Sequence, residues 1–137
     1  VQLSMDASKP ISWHYDVGRA LRPLREHGVL ILGSGNVVHT LQQMEWDINA
    51  RPHDWAERFN DLVINVVETD TPQRLFDHGA LGKDAALSVS PADPAHYWPL
   101  FYVLGSRLAS DKLTMKPRHV QYKSLSMVSF VLRSART

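Results

Sequence analysis

The stretch Val29–His39, VLILGSGNVVH, decides how the rest of the sequence is interpreted. Its four opening apolar residues are typical of a buried strand, and Gly33–Gly35 supplies a tight turn after them. Asn36 can cap a short helix, which would place His39 about one turn into that helix. Because ligands of open α/β sheets lie beyond the carboxyl ends of the strands, this turn is the first place to look for a functional site.

Outside this stretch, the spacing of apolar residues predicts strands that alternate with helices. We expect a strand at 1–5, a helix that follows Pro10, bends at Pro23 and ends at Gly28, and a clear helix that begins at Asp54. Further along we expect a short helix at 71–76, a loop at 78–95, a helix at 95–108 and strands at 113–120 and 125–132. This alternation predicts an α/β fold, a layered sheet with helices on both faces.

The domain organisation follows from length and from the opening residues. A chain of 137 residues is about one domain. Val1 is not an initiator Met, and the strand pattern is already present at the first residue. We therefore expect residues 1–137 to be either a single domain or the C-terminal half of a larger single catalytic domain.

Composition excludes several functional classes. Fifteen Lys and Arg against fourteen Asp and Glu leave a net charge of +1, which gives no basic footprint for nucleic acid or for a membrane surface. Cysteine is absent, so thiolate metal sites and Cys nucleophiles are excluded, whereas seven histidines are available. No leader is visible in the sequence, and we expect a cytoplasmic protein.

Two common interpretations of the turn after the strand do not fit its residues. A dinucleotide fingerprint, G-x-G-x-x-G, requires a third glycine where Val38 stands. A nucleophile elbow, G-x-S-x-G, requires a glycine at Leu32. A tight strand-to-helix turn explains both glycines of the stretch, but it does not explain His39, which is either an ordinary core or surface histidine or a functional one.

Two other histidines lie close to prolines or a glycine, residues that are typical of turns. His96 lies between Pro94 and Pro99 at a helix start, where it is either a metal ligand on a rigid mount or a histidine packed against aromatic neighbours. His78 precedes Gly79 and is better explained as a histidine at a helix C-terminus. The remaining histidines are interpreted as structural: His14, His27, His53 and His119. The aromatic group Tyr97, Trp98, Phe101 and Tyr102 is typical of a helix core, although two of its members could line a planar substrate.

Beyond these local patterns, the segment Tyr15–His39 closely resembles the second half of the class III extradiol ring-cleaving dioxygenases, with the DOPA 4,5-dioxygenase-like subfamily as the nearest branch. The segment Asp93–Leu100, DPAHYWPL, resembles that family's second C-terminal motif, a His-x-x-Pro-Leu helix start. The segment Phe76–Ala85 also fits the subfamily. The resemblance extends over nearly the whole chain.

The resemblance implies a three-layer α/β fold, of which this chain is the C-terminal portion, around one non-haem metal. It places His39 in the pocket as catalytic acid/base or metal ligand, and it makes His96 a metal ligand. It assigns a His-Gly motif and a further metal-binding His to an N-terminal half that these residues do not include. The family commonly has an acidic residue before the second motif's His, whereas here Ala95 stands there and Asp93 lies two positions further back.

The activity that the resemblance implies is extradiol cleavage of a catechol-type, DOPA-like ring with O2. The cofactor expected is Fe(II), with Zn(II) able to occupy the same site, and a homo-oligomer is among the expected assemblies. A neutral His39 could take the proton of a substrate hydroxyl, because an imidazole pKa of about 6.5 suits neutral pH. The alternatives are a non-catalytic fragment and a zinc-binding, hydrolase-like α/β protein.

Overall fold

A computed structural model describes residues 1–90 and 93–134 of the chain. Its helices are α1 (Ile11–Ala20), α2 (Arg22–Glu26), α3 (Asp54–Thr69), α4 (Lys83–Ser88) and α5 (Pro99–Gly105). Its strands are β1 (Asp111–Met115), β2 (Val120–Gln121), β3 (Leu125–Ser126) and β4 (Phe130–Ser134). Short 3₁₀ turns occur at Leu41–Gln43, Pro72–Leu75, His78–Leu81 and Pro94–His96. The α/β class expected from the sequence is confirmed.

The longest helix, α3, forms where the sequence predicts it. It begins with Asp54 and Glu57 in its first turn, where carboxylates oppose the positive end of the helix dipole. It ends at Asp70, which adopts the left-handed conformation with φ of 52°. Most of its apolar stripe lies in the core, where Ala56, Phe59, Val63, Val66 and Val67 are buried. Through this stripe α3 packs against α4, the turn Pro72–Leu75 and the strands β2 and β3.

The four strands form one long antiparallel hairpin. β1 pairs with β4 at its open end, and β2 pairs with β3 next to the turn. Backbone hydrogen bonds continue between the two ladders, from Lys116 N to Ser129 O and from Met127 N to His119 O. The predicted strands at 113–120 and 125–132 are therefore the two arms of this hairpin, each of them interrupted once.

Helices α1 and α5 touch through their backbones because two glycines face each other. A Cβ atom on Gly18 would lie 2.4 Å from the Tyr102 carbonyl oxygen, and one on Gly105 would lie 2.2 Å from that of Tyr15. Neither position has room for a side chain, since real Cβ atoms do not approach backbone atoms this closely. This contact fixes α5, and with it the turn that precedes α5 and carries His96.

Several predicted elements are absent or different in the described part of the chain. Residues 1–5 and 29–32 belong to no strand there, because a strand needs ladder partners and these segments have none among the described residues. The second segment exposes 80% of Leu30 and 81% of Leu32. The predicted helix after Asn36 is wrong: Val38 O accepts a hydrogen bond from Ser126 N, and His39 forms a bridge with Leu125.

The region around the predicted loop and last helix also differs in detail. The loop expected at 78–95 contains α4 and two 3₁₀ turns, and residues 91–92 lie outside the described part of the chain. The helix expected at 95–108 is divided into the 3₁₀ turn Pro94–His96 and α5. Pro99 marks the division, since proline has no N–H to donate and favours a helix's first turn. Among the described residues, no helix combines the length and the apolar character needed to cross a bilayer.

Candidate functional site

The fold brings His39 and His96 into direct contact. Their imidazole rings are stacked, with centroids 3.8 Å apart and an angle of 18° between the ring planes. His39 is half-buried and His96 is exposed, so the pair lies at the surface. The structure therefore brings together the two histidines that the sequence analysis singled out.

The position of His39 is fixed by its backbone. Its N–H donates to the Ser88 carbonyl oxygen, at the end of α4, over 2.9 Å. The next residue, Thr40, donates its N–H to the Ser124 carbonyl oxygen and accepts a hydrogen bond from the Ser124 hydroxyl. Contacts with both α4 and the hairpin turn hold the segment that carries His39, although it is not helical.

The position of His96 is set by a short capped turn. Asp93 accepts a hydrogen bond from Ala95 N through its Oδ1 atom, over 3.2 Å, and so caps the turn. Pro94 opens the turn, and the His96 carbonyl oxygen accepts a hydrogen bond from Asn36 N over 2.9 Å. Asp93 therefore caps the turn that carries His96, and its carboxylate also places a negative charge next to His39.

The surroundings of His39 favour its neutral form. Partial burial lowers the pKa of His39 below 6.5, and the neighbouring His96 lowers it further, while the Asp93 carboxylate acts in the opposite direction. A neutral imidazole has one ring nitrogen free to accept a proton. His39 therefore has a ring nitrogen that can accept a proton at neutral pH.

The donor atoms of the site suit a metal ion, but their number is small. Imidazole nitrogen is a standard ligand for iron and zinc. Within residues 1–90 and 93–134, however, no group of three or more His, Cys, Asp or Glu side chains is placed to hold a metal ion. Because catalytic sites usually have three protein ligands, the described residues alone do not complete such a centre.

The other histidines lie apart from the stacked pair. His78 packs edge-on against Tyr97, with its Nε2 atom 3.1 Å from the Ala85 carbonyl oxygen, and burial lowers the pKa of His78. His14 is fully buried, with its Nδ1 atom 2.8 Å from the Tyr102 hydroxyl oxygen. Both have the structural roles expected from the sequence. His78, however, begins a 3₁₀ turn, whereas the sequence analysis placed it at the end of a helix.

The aromatic residues after His96 are core residues. Tyr97, Trp98, Phe101 and Tyr102 are all buried, and Trp98 stacks on His14 with ring centroids 4.8 Å apart. Tyr97 is 1% exposed, and its burial strongly raises the pKa of its hydroxyl. These four side chains are part of the core, and they leave almost no exposed surface on which a planar ligand could lie.

Comparison with known proteins identifies the family of this chain. Residues 2–132 match the family described as the catalytic LigB subunit of aromatic ring-opening dioxygenase. The chain belongs to this family.

Individual relatives agree with the family match. The chain is 38% identical over 135 residues to an Escherichia coli K12 protein named 4,5-DOPA dioxygenase extradiol, covering 94% of this chain and 48% of that protein. A Portulaca grandiflora protein of the same name is 26% identical over 134 residues, covering 97% and 48% of the two chains. The chain thus spans about half the length of the curated relatives that it matches.

A solved structure shares the fold. The crystal structure of an uncharacterized Escherichia coli K12 protein superposes with a TM-score of 0.81 at 35% identity. The match covers 93% of this chain and 52% of that one. The fold described above is therefore shared with that protein over almost the whole of this chain.

Proposed function

We propose that this chain provides the proton-transfer residue and one metal ligand of an extradiol dioxygenase that opens a catechol-type, DOPA-like ring with O2. His39 is the proposed catalytic residue, with metal ligation as its alternative role. His96 is the proposed metal ligand. The stacked contact between His39 and His96 is the observation that carries the proposal.

Family membership supports the reaction class, and the relatives' names support the substrate class. The stacked pair adds chemistry that this reaction requires, namely a nitrogen ligand beside a group that can move a proton. Fe(II) is the proposed metal, with Zn(II) as the competing occupant. When bound, the metal would supply open coordination positions for substrate and dioxygen together.

The proton chemistry is assigned to His39. A catechol must lose a hydroxyl proton before its ring becomes electron-rich enough to be attacked by dioxygen. The lowered pKa of His39 keeps Nδ1 or Nε2 unprotonated at neutral pH, so this ring can take the proton. The same nitrogen can return the proton to an oxygen of the product as the ring opens.

His96 is suited to the ligand role because the turn that carries it is rigid. The turn Pro94–His96 is capped by Asp93 and is followed directly by the buried residues at the start of α5. A ligand held this way loses little conformational freedom when it binds a metal. With His39 assigned to proton transfer, at least two more protein ligands must come from outside the described residues, since catalytic sites usually have three.

The test uses the natural polypeptide that carries this chain, reconstituted anaerobically with Fe(II) or with Zn(II) and then given DOPA and air. We expect the Fe(II) form to consume oxygen and produce the yellow ring-opened product, and the Zn(II) form to be inactive. Oxygen uptake by neither form would overturn the proposal in favour of a non-catalytic protein. Hydrolysis of a chromogenic ester by the Zn(II) form alone, measured in a separate assay, would favour the hydrolase-like alternative.

A further inference from the structure

We propose that Gly35 and Asn36 form a bracket that positions His96 against His39. We call these two residues the Gly35–Asn36 bracket and treat them as positioning residues, because they act through the histidines. The inference rests on the proposed function in one respect only, namely that the stacked pair is the working part of the site. It accounts for Gly35 and Asn36 in the G-S-G-N motif, which neither a nucleotide site nor a nucleophile elbow explains.

Gly35 allows the two backbones to approach each other. A Cβ atom at this position would lie 2.1 Å from the His96 carbonyl oxygen and 3.0 Å from the His96 carbonyl carbon. These are backbone atoms, which cannot rotate out of the way as the end of a flexible side chain can. Any residue other than glycine would therefore push the His96 turn away from the segment that carries His39.

Asn36 makes the two bonds that hold this approach in place. Its backbone N–H donates to the His96 carbonyl oxygen over 2.9 Å. Its side-chain Nδ2 donates to the Ser126 carbonyl oxygen over 2.7 Å. Ser126 in turn donates its backbone N–H to Val38, the residue just before His39, over 3.0 Å. One residue thus links the His96 turn to the strand β3, which pairs beside His39.

The bracket is anchored in the core. The Ser126 hydroxyl donates to Asn60 Oδ1 over 2.6 Å, and Asn60 Nδ2 donates to the Arg118 carbonyl oxygen over 2.9 Å. Asn60 and Ser126 are each only 2% exposed. A buried polar network with its partners in place is rigid, because breaking any of its bonds leaves a buried polar group unpaired. The bracket is therefore connected by hydrogen bonds to α3, and through it the positions of the two histidines are fixed relative to that helix.

A steric and a hydrogen-bonding variant test the bracket separately. Gly35→Ala adds the forbidden Cβ, and Asn36→Asp keeps the side-chain shape but removes the donor to Ser126. The matched controls are Gly79→Ala, where the nearest atom to a Cβ is Asp77 Oδ1 at 3.5 Å, and Asn49→Asp at an exposed position. A further control, Val63→Ala on α3, destabilises the core without touching the bracket.

The readout is proton NMR of the metal-free 137-residue chain. Rings stacked at 3.8 Å shield each other's protons and give cross-ring nuclear Overhauser effects, and we expect a protein that is destabilised but still folded to keep both. We expect Gly35→Ala and Asn36→Asp to lose the cross-ring effect and the mutual shielding of His39 and His96. We expect the three controls to retain both signals, with Val63→Ala showing a lower unfolding midpoint.

A folded Gly35→Ala or Asn36→Asp protein with both signals unchanged would overturn the proposal. If Gly35→Ala does not fold, the isosteric Asn36→Asp variant decides. Loss of the signals in Val63→Ala as well would also overturn it, since the effect would then be one of stability. The readout needs neither metal nor substrate, so the bracket can fail while ring cleavage is found, and the reverse can also occur.

Discussion

The imidazole rings of His39 and His96 lie nearly parallel at 3.8 Å, although one belongs to a segment beside the hairpin and the other to a turn before α5. Two unit charges about 4 Å apart repel by about 1 kcal/mol in water and about 4 kcal/mol near a protein surface. After partial burial, this repulsion is the second cause that lowers the pKa of His39. The pair thus fits the proposed roles, in which His96 binds the metal and His39 transfers a proton.

Metal affinity of the 137-residue chain by itself is expected to be weak. The described residues offer two histidines at the site and no third ligand in place. Titration calorimetry with Zn(II) and with Fe(II) under nitrogen measures the affinity. Residual binding should fall in His96→Ala and remain in His27→Ala, a change at an exposed histidine. Tight, stoichiometric binding by the unmodified chain would contradict the expectation.

The ion pair between Arg25 and Asp111 is expected to contribute strongly to stability. Arg25 donates to both carboxylate oxygens, over 2.6 and 2.8 Å, and the Asp111 side chain is fully buried. Removing one partner of a buried pair costs about 3–5 kcal/mol. Urea unfolding of Asp111→Asn should show a loss of this size.

The control for this ion pair is Asp16→Asn. Asp16 pairs with Arg19 at the surface, where both side chains are more than half exposed. Exposed pairs contribute about 0–1 kcal/mol, so this variant should unfold close to the unmodified protein. Equal losses of free energy in Asp16→Asn and Asp111→Asn would show that burial is not what gives the Arg25 pair its strength.

The substitution Gly18→Ala distinguishes packing from helix propensity. Propensity alone predicts that alanine in α1 stabilises the protein by about 0.8–1 kcal/mol. The Cβ would lie 2.4 Å from the Tyr102 carbonyl oxygen, and overpacking of this kind costs about 1–3 kcal/mol. We therefore expect a lower free energy of unfolding in Gly18→Ala and little change in Gly79→Ala. A stabilised Gly18→Ala protein would show that α1 and α5 are further apart than described.

Stability is expected to fall as the pH is lowered through about 6.5. Burial lowers the pKa of His14 and His78 in the folded protein, with 6.5 as their ordinary value. The unfolded chain then binds more protons than the folded one below pH 6.5, so the free energy of unfolding rises with pH in that window. Urea unfolding between pH 5.5 and 7.5 measures the slope.

The pH dependence has its own control. Replacing His14 by Gln removes one of the buried groups that titrate, so the slope should be shallower even though the variant is less stable at every pH. Replacing the exposed His27 by Gln should leave the slope unchanged. A free energy of unfolding that stays constant or rises on acidification in the unmodified protein would contradict the assignment.

Local patterns in the sequence were sufficient to predict the elements that depend mainly on residues close together in the chain. The helix at Asp54 could be predicted because its apolar residues repeat at helical spacing, and most of them are buried. The break before Pro23 could be predicted because proline cannot continue a helix hydrogen-bond pattern, and α1 indeed gives way to α2 at Leu21.

Pairing between distant parts of the chain could not be predicted from local patterns. Asn36 looked like a helix cap, but its segment is held by Ser126 and His96, neither of which lies near it in sequence. The roles of Gly35 and Asn36 were missed for the same reason, although the glycines were noticed. His39 and His96 were selected together through the resemblance, since spacing alone left both of them with ordinary structural explanations.

The central claim is that His39 transfers a proton and His96 holds the metal, and metal content together with turnover tests it most directly. The measurement uses iron per chain and the DOPA cleavage rate of His39→Ala and His96→Ala in the natural polypeptide. We expect His39→Ala to keep its iron and lose about 10²–10⁴-fold in kcat, the range for a general acid–base group. We expect His96→Ala to lose iron and activity in parallel. Loss of iron from His39→Ala as complete as that from His96→Ala would contradict the account.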